Sequence, residues 1–165
     1  MIKQLRGIAL AGLLGFATVL GAITIADRVL PPDLSRLDDL SLVLEDRDGK
    51  PLHITPTNAG GYRLPVSVAD VDRRYIDMLV TYEDKRFFNH PGIDFLALVR
   101  ALRQWVTSGR VISGGSTLTM QTARLLESRP RTIRAKFAEM FRALQLETRY
   151  SKAEILEMYM TLAPF

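Results

Sequence analysis

The sequence predicts a mainly α-helical domain behind one membrane-spanning helix, with a small β hairpin between the two. Three observations predict it. Gly7 to Ala26 is an uncharged run of twenty residues closed by Asp27-Arg28, and at ~1.5 Å per residue it matches a ~30 Å hydrocarbon core. From Ser67 onward, apolar residues recur at spacings of three and four, the period of a helix with one buried face. Between these stretches lies a single strand-like pair broken at Asp48-Gly49, a dipeptide suited to the positive φ of hairpin turns. The expected division is 1–30 for a cytoplasmic start and anchor, 31–66 for a stalk with the hairpin, and 67–165 for the helical domain.

Each element has its own signal. A cleaved signal peptide is the rival to the anchor, with Thr24-Ile25-Ala26 as a weak cut site, but its apolar region is usually shorter, ~7–15 residues. Lys3 and Arg6 on one side and Arg28 and Arg36 on the other nearly balance, leaving only a lean toward an outside C-terminal part. Pro31-Pro32 breaks the helix. Strands are expected over Ser41–Asp46 and Pro51–Thr55. In the domain, Val71, Tyr75, Met78, Leu79 and Tyr82 fall on one helical face. Asp94 caps a second helix with Phe95, Leu98, Val99, Leu102, Trp105 and Val106 on one side and Arg100 and Arg103 on the other. A third helix is expected from near Ser116 to Leu126. A fourth carries Ile133, Phe137, Met140, Phe141 and Leu144 on one stripe. The fifth opens with the capping-box spacing Ser151 to Glu154 and buries Ile155, Leu156 and Tyr159.

Charge is modest in sum and uneven in place. The net charge is +4 over 165 residues, with no cysteine. Residues 27–48 are rich in aspartate, while Arg100 to Lys152 holds most of the arginines. Such a basic stretch suits phosphate, an anionic membrane surface or nucleic acid. The anchor ranks the membrane above nucleic acid, and for any single arginine a solvated helix face is the ordinary reading.

Two blocks carry chemistry. Glu83 ends a helix beside Asp84, Lys85, Arg86 and two phenylalanines. A carboxylate there suits a general base, or else forms a surface pair with Lys85 and Arg86. His90, before Pro91-Gly92, is an acid, a metal ligand or a donor that fixes the turn; with no second histidine at ligand spacing, the structural role is favoured. Gly114-Gly115-Ser116-Thr117 opens a helix, where free N–H groups and hydroxyls bind phosphate. Without Gly-Lys-Ser/Thr it is no nucleotide P-loop, and a plain serine cap is the bland alternative. Gln121 lies one turn in. Lys136 and Glu139 share a helix face, as a salt bridge or as a cation-holding carboxylate beside a phosphate site.

In this order and register, the blocks resemble the glycosyltransferase family 51 domain of class A penicillin-binding proteins. Glu83-Asp84-Lys85-Arg86-Phe87 with His90, Gly92 and Asp94 resembles its first motif, and Gly114 to Gln121 its second. Lys136 with Glu139 resembles the third, and Lys152 with Glu154 to Tyr159 the fourth. The ending Leu162-Ala163-Pro164-Phe165 is most similar to the 1C branch. The resemblance implies a lysozyme-like helical fold on the outer face of the bacterial cytoplasmic membrane, incomplete at the C-terminus because the family's fifth motif would lie past Phe165. It implies polymerisation of lipid II onto a growing glycan chain, with inversion and loss of undecaprenyl pyrophosphate. Glu83 would be the base. Ser116, Thr117, Gln121 and Lys136 would stabilise the pyrophosphate, with Asp84, Arg86, Phe87, His90 and Gly115 in the same substrate-binding set. Glu139 would assist through bound Mg²⁺ or Mn²⁺. Partners would be lipid II, the membrane and other wall-synthesis proteins, not nucleic acid. Ala135 stands where the family usually has a basic residue, and Thr161 where many members have asparagine. Neither Ser-x-x-Lys nor Lys-Thr-Gly occurs, so no transpeptidase motif is present. Two alternatives stand beside this reading: a lysozyme-like glycan-cleaving enzyme, and a truncated, non-catalytic membrane-anchored fragment.

Overall fold

A computed structural model describes residues 18, 21, 24–109 and 115–164. The chain divides into two compact units, Met1–Pro32 and Asp33–Phe165. Most of the expected span Gly7–Ala26 lies outside the described residues. Among the described residues no helix is long and apolar enough to cross a membrane.

The second unit opens with α1 (Ser35–Asp38), one turn of helix where the sequence predicts only stalk. Its start is held by Asp33, whose Oδ1 accepts the Ser35 amide at 2.9 Å. The hairpin follows as β1 (Val43–Glu45) and β2 (Pro51–Ile54), antiparallel, with Val43 opposite Ile54 and Leu44 opposite His53. Gly49 takes φ 77° in the turn, and Asp46 Oδ1 accepts the amides of Asp48 and Lys50. Both strands are shorter than predicted.

Five helices then build the domain: α2 (Arg73–Glu83), α3 (Phe95–Ser108), α4 (Leu118–Leu126), α5 (Ile133–Arg149) and α6 (Lys152–Leu162). The mainly helical class with a two-stranded sheet is as expected. Helix α4 is the innermost. Leu118, Met120, Thr119 and Thr122 are wholly enclosed, and the Thr122 hydroxyl, donating to the Leu118 carbonyl, needs no outside partner. Ile76, Leu79 and Val80 of α2, Leu146 of α5, and Ile155, Leu156 and Tyr159 of α6 join α4 in one core. Each large apolar side chain enclosed this way contributes roughly 1.5–3 kcal/mol.

Three of the predicted stripes are rotated. On α2, Met78 and Tyr82 face solvent while Ile76, Leu79 and Val80 are buried. On α5, Ile133 is 80% and Phe137 66% exposed, and the buried face runs through Ala135, Glu139, Ala143 and Leu146. The cause is close approach: a Cβ placed on Gly92 would stand 2.9 Å from the Ala143 carbonyl oxygen. A bulky stripe would hold α5 off. On α3, Phe95, Val99 and Val106 are exposed and Ala97 is buried; the side chains of Leu102 and Trp105 are outside the described set.

Candidate active site

The chemistry gathers where α2 ends and α4 begins. Glu83 is the last residue of α2, and Asp84 caps it, its amide donating to the Val80 carbonyl. The helix therefore stops with one carboxylate turned toward the surface and the next turned in. Asp84 is buried and accepts the Leu118 amide at 2.9 Å and His90 Nε2 at 3.0 Å. The first of these donors is one of the four amides that a helix start leaves without an internal partner. Thr117 forms a second bridge. Its hydroxyl accepts the Met120 amide at 3.1 Å, capping α4, and donates to the Gly92 carbonyl at 2.5 Å.

The rest of the first block frames these bridges. Asp94 caps the start of α3 by accepting the Ala97 amide at 2.8 Å, and the Arg86 guanidinium grips both its oxygens. Burial raises the Asp94 carboxyl pKa, but the Ala97 amide and Arg86 outweigh it and hold the group below its ordinary value. Phe87 is wholly buried, with Lys152 Nζ 4.4 Å from its ring centre. That ammonium also donates to the His90 carbonyl at 2.8 Å and to Glu147 at 2.7 Å. Phe87 and His90 are thus sealed into the frame and do not reach the cleft. Asp84 and Thr117 reach its wall, but their oxygens are already engaged.

A cleft of about 530 Å³ opens over this frame, lined by Glu83, Arg86, Gly115, Ser116, Gln121 and Arg100 among others. Glu83 is half-buried there, and Gln121 Nε2 donates to its Oε2 at 2.8 Å. Ser116 Oγ accepts Lys136 Nζ at 2.5 Å, and the same ammonium reaches Glu139 Oε2 at 3.0 Å. Lys136 thereby joins the cleft through Ser116. It also lines a neighbouring hollow with Glu139, Arg124 and Arg131. Gly114 lies outside the described residues. Tyr159 has its phenol pKa raised by burial and then by the charge of Glu83.

Sequence reading missed three contributors. Lys85 and Arg100 line the cleft, and Glu147 bridges Lys152 and the Thr119 hydroxyl. The pattern did put Arg100 opposite the apolar side of its helix, but a pattern cannot say what that side faces.

Glu139 does not fit a resident divalent cation. Its Oε2 is held by an ammonium, two arginines line the same hollow, and among the described residues no group of three or more metal-binding side chains gathers. Such cations need several oxygen ligands. What the arrangement offers is a half-buried carboxylate in the same cleft as the Ser116 hydroxyl, to which Lys136 donates: a proton acceptor and a pair that can steady an anion.

The class of the domain is that of the transglycosylases, shown by its sequence match. The transglycosylase family model matches residues 48–165, and the chain belongs to that family. It is 46% identical over 140 residues to penicillin-binding protein 1C of Escherichia coli K12, covering 85% of this chain and 18% of that protein. It is similar to penicillin-binding protein 1B of Haemophilus influenzae, 38% identical over 131 residues, 77% of this chain and 17% of the relative. Penicillin-binding protein 4 of Bacillus subtilis matches at 33% over 144 residues, 84% of this chain and 23% of its own length. The chain thus spans less than a quarter of each of these relatives.

Proposed function

We propose that the chain is a peptidoglycan glycosyltransferase that polymerises lipid II into glycan strands with inversion. The observation that carries this reading is the cleft shared by Glu83, with Gln121 on one oxygen, and Ser116, to which Lys136 donates from the neighbouring hollow. Glu83 removes the proton from the acceptor sugar's 4-hydroxyl as that oxygen attacks the donor's anomeric carbon. The new C–O bond forms as the bond to the diphosphate breaks, and the electron pair leaves with undecaprenyl pyrophosphate from the opposite face. Lys136, with the Ser116 hydroxyl it orients, meets the charge that develops there. Gln121 keeps the Glu83 carboxylate aimed. No step runs through a metal.

The same reading places the domain at the outer face of the cytoplasmic membrane, beside its lipid-linked substrate. Supporting this are the uncharged run Gly7–Ala26 and the exposed Phe95, Leu96 and Val99 on α3, an apolar patch of the kind that meets lipid.

The test is incubation of labelled lipid II with the wild-type chain and with Glu83→Gln. Polymer from the wild type, reduced by about 10²–10⁴-fold in the variant, is expected. Glycan breakdown without polymer, or equal polymer from both proteins, would sink the reading.

A further inference from the structure

We propose that the outward face of α6 and the chain beside α1 form a docking hollow for another protein. Its occupant is an apolar side chain flanked by lysine or arginine. On α6, Ile155, Leu156, Tyr159 and Met160 are buried against the core. Glu154, Glu157, Met158 and Thr161 recur at spacings of three and four, so they share the opposite face. With Leu37, Leu40, Pro65 and Tyr150 they line a hollow of about 270 Å³. Its surroundings are fixed by hydrogen bonds. The Val66 amide donates to Thr161 Oγ1 at 3.2 Å and the Val68 amide to Glu157 Oε1 at 2.9 Å, tying the Pro65 loop to α6. The Arg63 guanidinium donates to the Arg36 and Asp39 carbonyls, which sets the chain on either side of Leu37. Leu37 itself packs on the core.

Size and charge decide what the hollow takes. Pockets that enclose a small ligand run to ~300–1,000 Å³, so this one suits a single side chain. Tyr150 and Met158 are residue types that protein interfaces favour. Among the described residues that line it, the only charged ones are Glu154 and Glu157. Their donors are neutral: the Ser151 amide and hydroxyl for one, the Ser67 hydroxyl and Val68 amide for the other. Among the described residues no cation pairs with either. Lysine or arginine beside the incoming apolar residue meets them with opposite charge. An anionic membrane surface does not. The exposed Phe95, Leu96 and Val99 differ in this respect, because their helix also carries Arg100 and Arg103. The hollow and the catalytic cleft share no lining residue, so both can be occupied at once.

Methyl NMR of the full chain in zwitterionic detergent, with labelled methionine methyls, tests this through the Met158 signal. The probes are two end-blocked peptides, Lys-Lys-Trp-Lys-Lys and Glu-Glu-Trp-Glu-Glu. The basic peptide is expected to shift the signal and saturate, and the acidic one to bind about tenfold more weakly or less. The double variant Glu154→Gln/Glu157→Gln should weaken the basic peptide by about three- to tenfold with circular dichroism unchanged. Leu40→Lys, which sets a competing ammonium at the hollow, should weaken it by at least as much. Equal binding of the two peptides, or no shift of the Met158 signal at millimolar peptide, overturns the docking site. A shift on raising the chain concentration alone would make the hollow a contact between copies of the chain. A larger shift on anionic vesicles than with the basic peptide would make it a lipid contact. Either result also overturns the proposal.

Discussion

Asp94 is held below its ordinary value of 3.8 by the Ala97 amide and Arg86, against the opposing effect of burial. A carboxyl depressed in the folded state adds stability above its unfolded value and loses it as pH falls through the folded one. The thermal midpoint should therefore stay level from neutral pH to about 5 and drop on further acidification. Glu127 acts in the same direction, its carboxyl pushed up by burial but lowered further by Arg129 and the Asp33 amide. Asp94→Asn should accordingly make the acid limb shallower without removing it, as read by circular dichroism across pH. Gly92 is the other residue whose identity is forced. At φ 84°, with the Ala143 carbonyl 2.9 Å from where a Cβ would be, Gly92→Ala should cost about 1–3 kcal/mol or more, measured by denaturant unfolding.

Among the elements, α6 was the most legible and α5 the least. The Ser151–Glu154 spacing announced a capping box, and both of its bonds are formed. Ser151→Ala should lower stability by about 1 kcal/mol, seen as an earlier denaturant midpoint at unchanged slope. The predicted burial of Ile155, Leu156 and Tyr159 holds because that face meets the core directly. On α5 the periodicity picked the bulky residues, but the contact face is set by small ones. Ala143 admits the close approach of the Gly92 backbone, and hydrophobicity alone does not encode that demand. The same blindness rotated the stripe on α2, where Met78 and Tyr82 are apolar yet exposed. The site was legible as residue types and order, while its division of labour was not. Asp84, Phe87 and His90 sit in the same motif as Glu83, and only the fold separates frame from cleft.

At the scale of the whole molecule, Lys152 joins three parts: α6, which carries it, Glu147 on α5, and the Phe87–His90 turn. Lys152→Met would keep bulk over the Phe87 ring but leave the Glu147 carboxylate, itself largely buried, without its ion pair. The expected loss is about 2–3 kcal/mol, and the polymerisation proposed above should fall as the turn beside Glu83 loosens. A readout of stability alone, with polymerisation unchanged at a temperature where the variant is folded, would show that the turn holds Glu83 in place by itself.

The contact from Lys152 to the His90 carbonyl spans 62 residues of chain. During synthesis at ~5–20 residues per second, His90 therefore exists for about 3–12 s before its partner is made. Glu83 is made just before the Phe87–His90 turn, and its own partner Gln121 follows 38 residues later, ahead of Lys152. Until α6 is made, the turn that follows Glu83 lacks the ammonium that ties it to α5 and α6.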